Sequence, residues 1–201
     1  MPADAGSVIT PRGEIDDKIV RALHSWITPA LALSGALKRP GESLAMSTWY
    51  YGQEPSTPFA TSIGKYFQNS LREDGLNTIA AHGVIFAPGK AGTLQEIFQD
   101  GVRNYYRAQT VPFSPMVFFD KTYWTRKLPA VRLLENLFVR NKRGGDYKEN
   151  VLVTSDEEET IDFLLRKAPP AKSHLRRLKS LGMLRQDLQG LTRHHRVEGH
   201  L

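Results

Sequence analysis

The chain has 201 residues, of which 40% are hydrophobic and 24% are charged, a composition typical of one soluble domain with a substantial core. It contains no cysteine, which excludes disulfides and thiolate metal sites. Its longest apolar segment, residues 26–37, is shorter than the roughly 20 residues of a membrane-spanning helix, and residues 1–9 lack the pattern of a secretory signal. We therefore expect a cytoplasmic protein with no membrane partner.

The formal net charge of +6 originates near the end of the chain. Residues 166–201 hold nine Lys and Arg against two Asp and Glu, which leaves the preceding residues close to neutral. Such a segment is either a solvated extension or a weak contact for a polyanion. It has no aromatic residue to stack on bases, so nucleic acid is not an expected partner. We assign residues 168–201 to a basic tail.

The first third of the chain predicts a helix, a break, a short strand and a second helix. Apolar residues at helical spacing predict an amphipathic helix over residues 14–30, and the sequence Lys-Arg-Pro-Gly-Glu-Ser ends the pattern. Residues 47–51, Ser-Thr-Trp-Tyr-Tyr, predict a strand, and apolar residues from Thr61 to Leu71 predict a helix that ends at Asp74 and Gly75. Residues 1–45 are therefore expected to form an N-terminal helical extension.

From residue 84 onward, apolar runs alternate with helical patterns. Each run is short and continuous, as in strands that are buried on both faces of a parallel sheet. A Ser-x-x-Glu sequence at Ser155 and Glu158 predicts a capping box for the last helix. This alternation is typical of a parallel α/β sheet flanked by helices. The predicted strands are residues 84–87, 115–119 and 150–154, and the predicted helices begin near Thr93, Leu128 and Ser155.

The turn between the first of these strands and its helix reads Pro88-Gly89-Lys90-Ala91-Gly92. The glycines let a ligand approach the main chain, and the amides at a helix start favour an anion, with phosphate as the natural guest. The P-loop and dinucleotide-binding patterns both fail here. The residues alone leave two alternatives open, a phosphate-binding turn or a tight turn that only starts a helix.

Glu96 has two interpretations as well. Thr93 and Glu96 have the Thr-x-x-Glu spacing of a capping box, which would explain the acid without any chemistry. Alternatively, Glu96 is a functional carboxylate behind a phosphate-binding turn.

A longer pattern favours the functional interpretation. Residues 88–96 resemble the Pro-Gly-Gly-x-Gly-Thr-x-x-Glu signature of the LOG (Lonely Guy) family, formerly labelled putative lysine decarboxylases. In that family an arginine lies about one helix upstream, and Arg72 stands at that place. Residues 51–55, Tyr-Gly-Gln-Glu-Pro, resemble a motif of one bacterial branch. The resemblance extends from residue 47 to residue 167.

The resemblance implies a Rossmann-like fold, and residues 46–167 are assigned to a LOG-like Rossmann domain. A complete domain of this family begins with a strand, a Gly-rich turn and a helix, and residues 1–45 contain no such turn. The resemblance therefore predicts a partial domain that corresponds to the C-terminal half of the family's domain. The implied assembly is a homodimer, and no metal or redox cofactor is implied.

The resemblance also implies an activity, the hydrolysis of the N-glycosidic bond of a nucleoside 5′-monophosphate to free base and ribose 5-phosphate. Two alternatives stay open. In the first, the chain is a non-catalytic nucleotide-binding module or a truncated, inactive LOG remnant. In the second, it is a protein that contacts a partner through a sheet edge or the basic tail. The implied catalytic residues are Arg72 and Glu96, and the implied phosphate-binding residues are Gly89, Lys90, Gly92 and Thr93.

Overall fold

The chain folds into two compact units, Met1–Arg72 and Glu73–Leu201, in a computed structural model. Parallel strands form two small sheets flanked by helices, which confirms the predicted parallel α/β class. The basic tail lies outside the described residues, apart from residues 168–170 and Lys179, and so does the Tyr-Gly-Gln-Glu-Pro motif. The structure describes residues 16–38, 41–49, 57–108, 111–140 and 144–170, together with Lys179.

Helix α1, Asp17–Ala36, opens the first unit and confirms the predicted N-terminal helix. The Asp16 carboxylate accepts hydrogen bonds from the amides of Lys18 and Ile19, at 2.9 and 3.1 Å, which fixes the start of the helix. Pro29 lies inside the helix, which nevertheless continues to Ala36. Within the described residues, no helix is both long and apolar enough to cross a membrane.

Strands β1, Leu44–Thr48, and β2, Ser62–Tyr66, pair in parallel in the first unit. The strand predicted at residues 47–51 therefore starts three residues earlier. The helix predicted from residue 61 is wrong over residues 62–66, because the backbone of this segment pairs with β1 instead of with itself. The Thr61 hydroxyl accepts a hydrogen bond from the Ser43 amide at 2.8 Å, next to the first pair of the ladder.

Helix α2, Asn69–Ile79, begins in the first unit and continues into the second. The sequence predicts that this helix ends at Asp74 and Gly75, but the structure extends it to Ile79. A glycine inside a helix costs about 1 kcal/mol relative to alanine. Gly75 lies between two side chains that are almost fully enclosed, those of Glu73 and Asn77.

The second unit contains a three-stranded parallel sheet in the order β3, β4, β5. Its three strands and the helices after them confirm the predicted alternation. The sequence did not predict the π-helical turn Tyr123–Lys127 or the short helix α5. The elements are β3 (Val84–Phe86), α3 (Ala91–Tyr106), β4 (Met116–Phe119), α4 (Ala130–Arg140), α5 (Gly144–Asn150), β5 (Val151–Thr154) and α6 (Glu157–Lys167).

The start of α6 differs from the predicted capping box by one residue. Asp156, rather than Ser155, caps the helix, and its carboxylate accepts from the Glu159 amide at 2.8 Å. Glu159 in turn accepts a hydrogen bond from the Thr154 hydroxyl. A carboxylate at a helix start interacts favourably with the helix dipole, which a serine hydroxyl does to a lesser degree.

The core of the second unit is aromatic and joins the sheet to α3, α4 and the π-helical turn. Phe118, Trp124, Leu134 and Phe138 are fully buried, and the rings of Phe118 and Trp124 meet edge to face at 5.8 Å. Such aromatic pairs stabilise a core beyond the area that they bury.

Two adjacent leucines of α4 test this core. Leu134 is fully buried, whereas Leu133 is 60% exposed. We expect Leu134→Ala to lower the free energy of unfolding by about 2–5 kcal/mol, because it removes buried methyl groups and leaves a cavity. Leu133→Ala, the control on the same helix, should change it by about 0.5 kcal/mol or less. Urea denaturation measures both, and similar losses in the two variants would contradict the described core.

Candidate functional site

A cavity of about 380 Å³ lies within the second unit, between α2, β3 and α3. Its volume falls in the range of about 300–1,000 Å³ that is typical of small-molecule sites. The side chain of Gln99 on α3 donates a hydrogen bond to Asp74 on α2 and ties the two helices together. The lining consists of Glu73, Leu76, Asn77 and Ala80 from α2, residues 84–88 from β3 and the following turn, and Thr93 and Glu96 from α3.

Helix α3 begins at Ala91, two residues before the predicted start. Lys90 occupies the N-cap position, and its side chain makes no capping hydrogen bond. The first bond of the helical ladder joins the Leu94 amide to the Lys90 carbonyl at 3.0 Å. The amides of residues 91–93 therefore precede the ladder and lie at the positive end of the helix dipole, an arrangement that favours an anion.

This start rules out the capping interpretation of Glu96. Thr93 is the third residue of α3 and does not occupy the N-cap position, so Thr93 and Glu96 do not form a capping box. Glu96 instead lies in the second turn of the helix, where its half-buried side chain lines the cavity. The acid is thus part of a concave site.

The two glycines of the turn have different roles. A Cβ atom at Gly89 would lie 2.0 Å from the Thr93 hydroxyl oxygen, so the packing of Thr93 over the turn requires glycine there. A Cβ at Gly92 would meet no atom within 4 Å, which leaves the main chain open to a ligand at that position. The Tyr123 hydroxyl donates to the Gly89 carbonyl at 2.5 Å and fixes the turn from the other side.

Five of the six predicted site residues are close neighbours in the sequence, and two of them, Thr93 and Glu96, line the cavity. Gly89, exposed Lys90, Gly92, Thr93 and Glu96 lie on one continuous turn and helix in the second unit. The sixth, Arg72, belongs to the first unit, where its Nη1 donates to the Met46 carbonyl at 3.3 Å. The catalytic role of Arg72 stays a prediction.

Sequence reasoning missed two polar residues of the cavity, Glu73 and Asn77. Their side chains are only 1% and 8% exposed, respectively. Glu73, Leu76, Asn77 and Ala80 follow the i, i+3, i+4, i+7 spacing of a single helix face. In an ordinary amphipathic helix, the polar residues lie on the side opposite the apolar residues. A carboxylate and an amide on the apolar face of α2 were therefore the available signal.

The polar side chains that line the cavity are acidic or neutral. It consists of two carboxylates, an amide and a hydroxyl, and no Lys, Arg or His is among the lining residues that the structure describes. An anionic group is therefore repelled by Glu73 and Glu96 and attracted to the start of α3. A neutral or electron-poor group is favoured beside the carboxylates. Over the described parts of the chain, no group of three or more His, Asp or Glu side chains is arranged to hold a metal ion.

A buried acid lies one turn beyond Glu96 on α3. Burial raises the pKa of Asp100 from 3.8 to about 6, although the Arg103 guanidinium at 3.4 Å acts in the opposite direction. Asp100 is fully buried and does not line the cavity. Its raised pKa therefore links the stability of the folded protein to pH, because the charged carboxylate is destabilising at this buried position.

No protein-family model matches the chain, and no curated protein sequence is significantly similar to it. The class that the fold and the cavity define is an α/β protein with a cavity that lies along a parallel strand and the start of the turn after it. The LOG resemblance, and the residue roles that it implies, stay predictions.

The two turn glycines provide a matched pair of variants. Gly89→Ala should lower the free energy of unfolding by about 1–3 kcal/mol, because the new Cβ displaces Thr93 or the turn. Gly92→Ala should leave it unchanged or raise it by up to about 1 kcal/mol, because alanine is the better helix former and has space. Urea denaturation separates the two outcomes. Equal effects at both positions would contradict the described packing of Thr93.

The burial of Asp100 should make the free energy of unfolding depend on pH. Because its folded pKa lies above its unfolded value, Asp100 favours the folded state most below pH about 4, and this contribution is lost as the pH rises to about 6. The loss amounts to about 3 kcal/mol. In Asp100→Asn this decrease in the free energy of unfolding between pH 4 and pH 6 should disappear, while the exposed control Asp162→Asn should retain it. Urea denaturation from pH 4 to pH 7 measures the slopes, and an unchanged slope in Asp100→Asn would refute the assignment.

Proposed function

We propose that the protein is a phosphoribohydrolase of the LOG kind, which hydrolyses the N-glycosidic bond of a nucleoside 5′-monophosphate. The products are free base and ribose 5-phosphate. The observation that carries this proposal is the position of Glu96, a carboxylate in a cavity whose lining also includes Pro88 from the turn before α3 and Thr93 from the first turn of that helix. An anion site and a carboxylate next to each other suit a sugar phosphate.

The phosphate group binds at the start of α3 in this proposal. The amides of residues 91–93 point along the helix axis as donors, and the exposed Lys90 adds a positive charge nearby. Gly92 leaves the main chain accessible, since no side chain of the described residues crowds it. The Thr93 hydroxyl, which lines the cavity, offers a further donor.

The ribose lies beside Glu96 in the same arrangement. Residues 93 and 96 are separated by about 4.5 Å along the helix axis, so the carboxylate reaches the part of the ligand adjoining the phosphate. When the base departs, positive charge develops on the sugar, and a carboxylate fixed in a cavity stabilises that charge more in the transition state than in the substrate. Glu96 can also hold a ribose hydroxyl or the attacking water.

A panel of nucleoside 5′-monophosphates tests the activity through chromatographic detection of free base. We expect base release by the unmodified protein and a loss of about 100-fold or more in kcat for Glu96→Gln, which keeps the shape but removes the charge. Glu149→Gln, on the exposed surface of α5, is the matched control and should retain full activity. Arg72→Gln examines separately the role that the resemblance implies.

Three results would change the proposal. If no nucleotide releases base, the enzyme assignment is wrong, and a rise in melting temperature with nucleotide would then indicate a binding module. Base release that is unchanged in Glu96→Gln would overturn the role of that residue. An equal loss in the Glu149→Gln control would mean that the effect of Glu96→Gln is not specific to the cavity.

A further inference from the structure

The α2 side of the cavity presents a hydrogen-bond donor in a largely apolar environment. Asn77 is 8% exposed and lines the cavity, with Leu76 and Ala80 on the same helix face. Its side-chain Nδ2 is buried and has no hydrogen-bond partner among the described residues. A buried amide nitrogen is strongly favoured to meet an acceptor, because the unsatisfied group loses its hydration without compensation.

The helix itself does not account for this residue. Asparagine is a poor helix former and is usually found at caps and turns, where its side chain bonds to nearby backbone groups. Asn77 lies in the last turn of α2, two residues before its end, yet its Nδ2 makes no such bond. The neighbouring Thr78, in contrast, donates to the Asp74 carbonyl in the way expected of a helical hydroxyl.

The other polar groups of the cavity cannot replace this donor. Glu73 and Glu96 carry carboxylate oxygens, which accept hydrogen bonds. Thr93 packs over Gly89, at the end of the cavity where the helix α3 begins. Asn77 is therefore the donor on the α2 side, and an acceptor atom of a ligand is the group that it fits.

We propose that Asn77 binds the nucleobase and donates from Nδ2 to a ring nitrogen or carbonyl oxygen of that base. This inference rests on the proposed function, and it assigns a base subsite to the α2 side of the cavity. With the phosphate at α3 and the ribose at Glu96, the base is the remaining part of the nucleotide. The cavity wall there is partly apolar, through Leu76 and Ala80, which suits the flat face of a base.

The donor also has a role in the reaction. When the bond between C1′ and the base nitrogen breaks, both electrons stay with the base. The water oxygen bonds to C1′, one water proton ends on the base, and the other stays on the new hydroxyl. A hydrogen bond from Asn77 to an acceptor of the base stabilises the negative charge on this leaving group, and it does so most in the transition state.

Two variants of Asn77 test this role. Asn77→Asp keeps the shape but replaces the donor with an acceptor, and Asn77→Leu removes the polar group. We expect each to reduce kcat about 10- to 100-fold. The measurement uses the monophosphates of adenosine, guanosine, inosine, cytidine and uridine, whose bases differ as leaving groups. The loss should be larger for the poorer leaving groups, which a purely structural role would not produce.

The control is Asn136→Asp on the exposed surface of α4, which should leave every rate unchanged. Circular dichroism and melting temperatures establish that the variants are folded. A loss that is the same for all five nucleotides, or no loss, would overturn the assignment of Asn77 while the proposed function stands.

Failure of the proposed function gives a different result. If the unmodified protein releases no base from any nucleotide, calorimetry with the same five nucleotides and with ribose 5-phosphate tests the subsite alone. Asn77→Leu should then bind the nucleotides about 10-fold or more weakly and bind ribose 5-phosphate unchanged. Equal weakening for both ligands, or no weakening, would refute a base subsite at Asn77.

Discussion

A hydrogen bond from the buried indole of Trp124 to the carbonyl of Phe86, at 3.0 Å, joins the core of the second unit to its cavity. Phe86 ends β3 and lines the cavity, and Trp124 is fully enclosed by the aromatic core. The adjacent Tyr123 holds the Gly89 carbonyl, so one π-helical turn fixes both the end of the strand and the turn that follows. The position of Glu96 depends on this anchor, because α3 starts directly after the turn.

The strand, the turn and α3 were predictable because their signals are local. An apolar run bounded by glycine and proline indicates a buried strand, and the repeated apolar positions after Thr93 indicate a helix. The start of α3 was misplaced because Thr93 is a better capping residue than Lys90 by sequence. In the structure, packing of Thr93 against Gly89 decides the start, and that contact cannot be inferred from capping preferences.

Features that depend on distant contacts were not predictable in the same way. Ile63, Tyr66 and Phe67 have helical spacing, but residues 62–66 form a strand because β1 supplies backbone partners. Glu73 and Asn77 were missed because polar residues on a helix usually face solvent. Their burial follows from the packing of α2 beside β3 and α3, and only the shared face with Leu76 and Ala80 hinted at it.

In the proposed function, the cavity holds a sugar phosphate with its phosphate at the start of α3. Titration of ¹⁵N-labelled protein with ribose 5-phosphate, with ribose as the control, tests this claim through the amide resonances. We expect saturable shifts of the Gly92 and Thr93 amides with ribose 5-phosphate, because the phosphate accepts hydrogen bonds from them, and none with ribose at the same concentrations. Shifts that are absent from residues 91–93, or equal for both ligands, would contradict it.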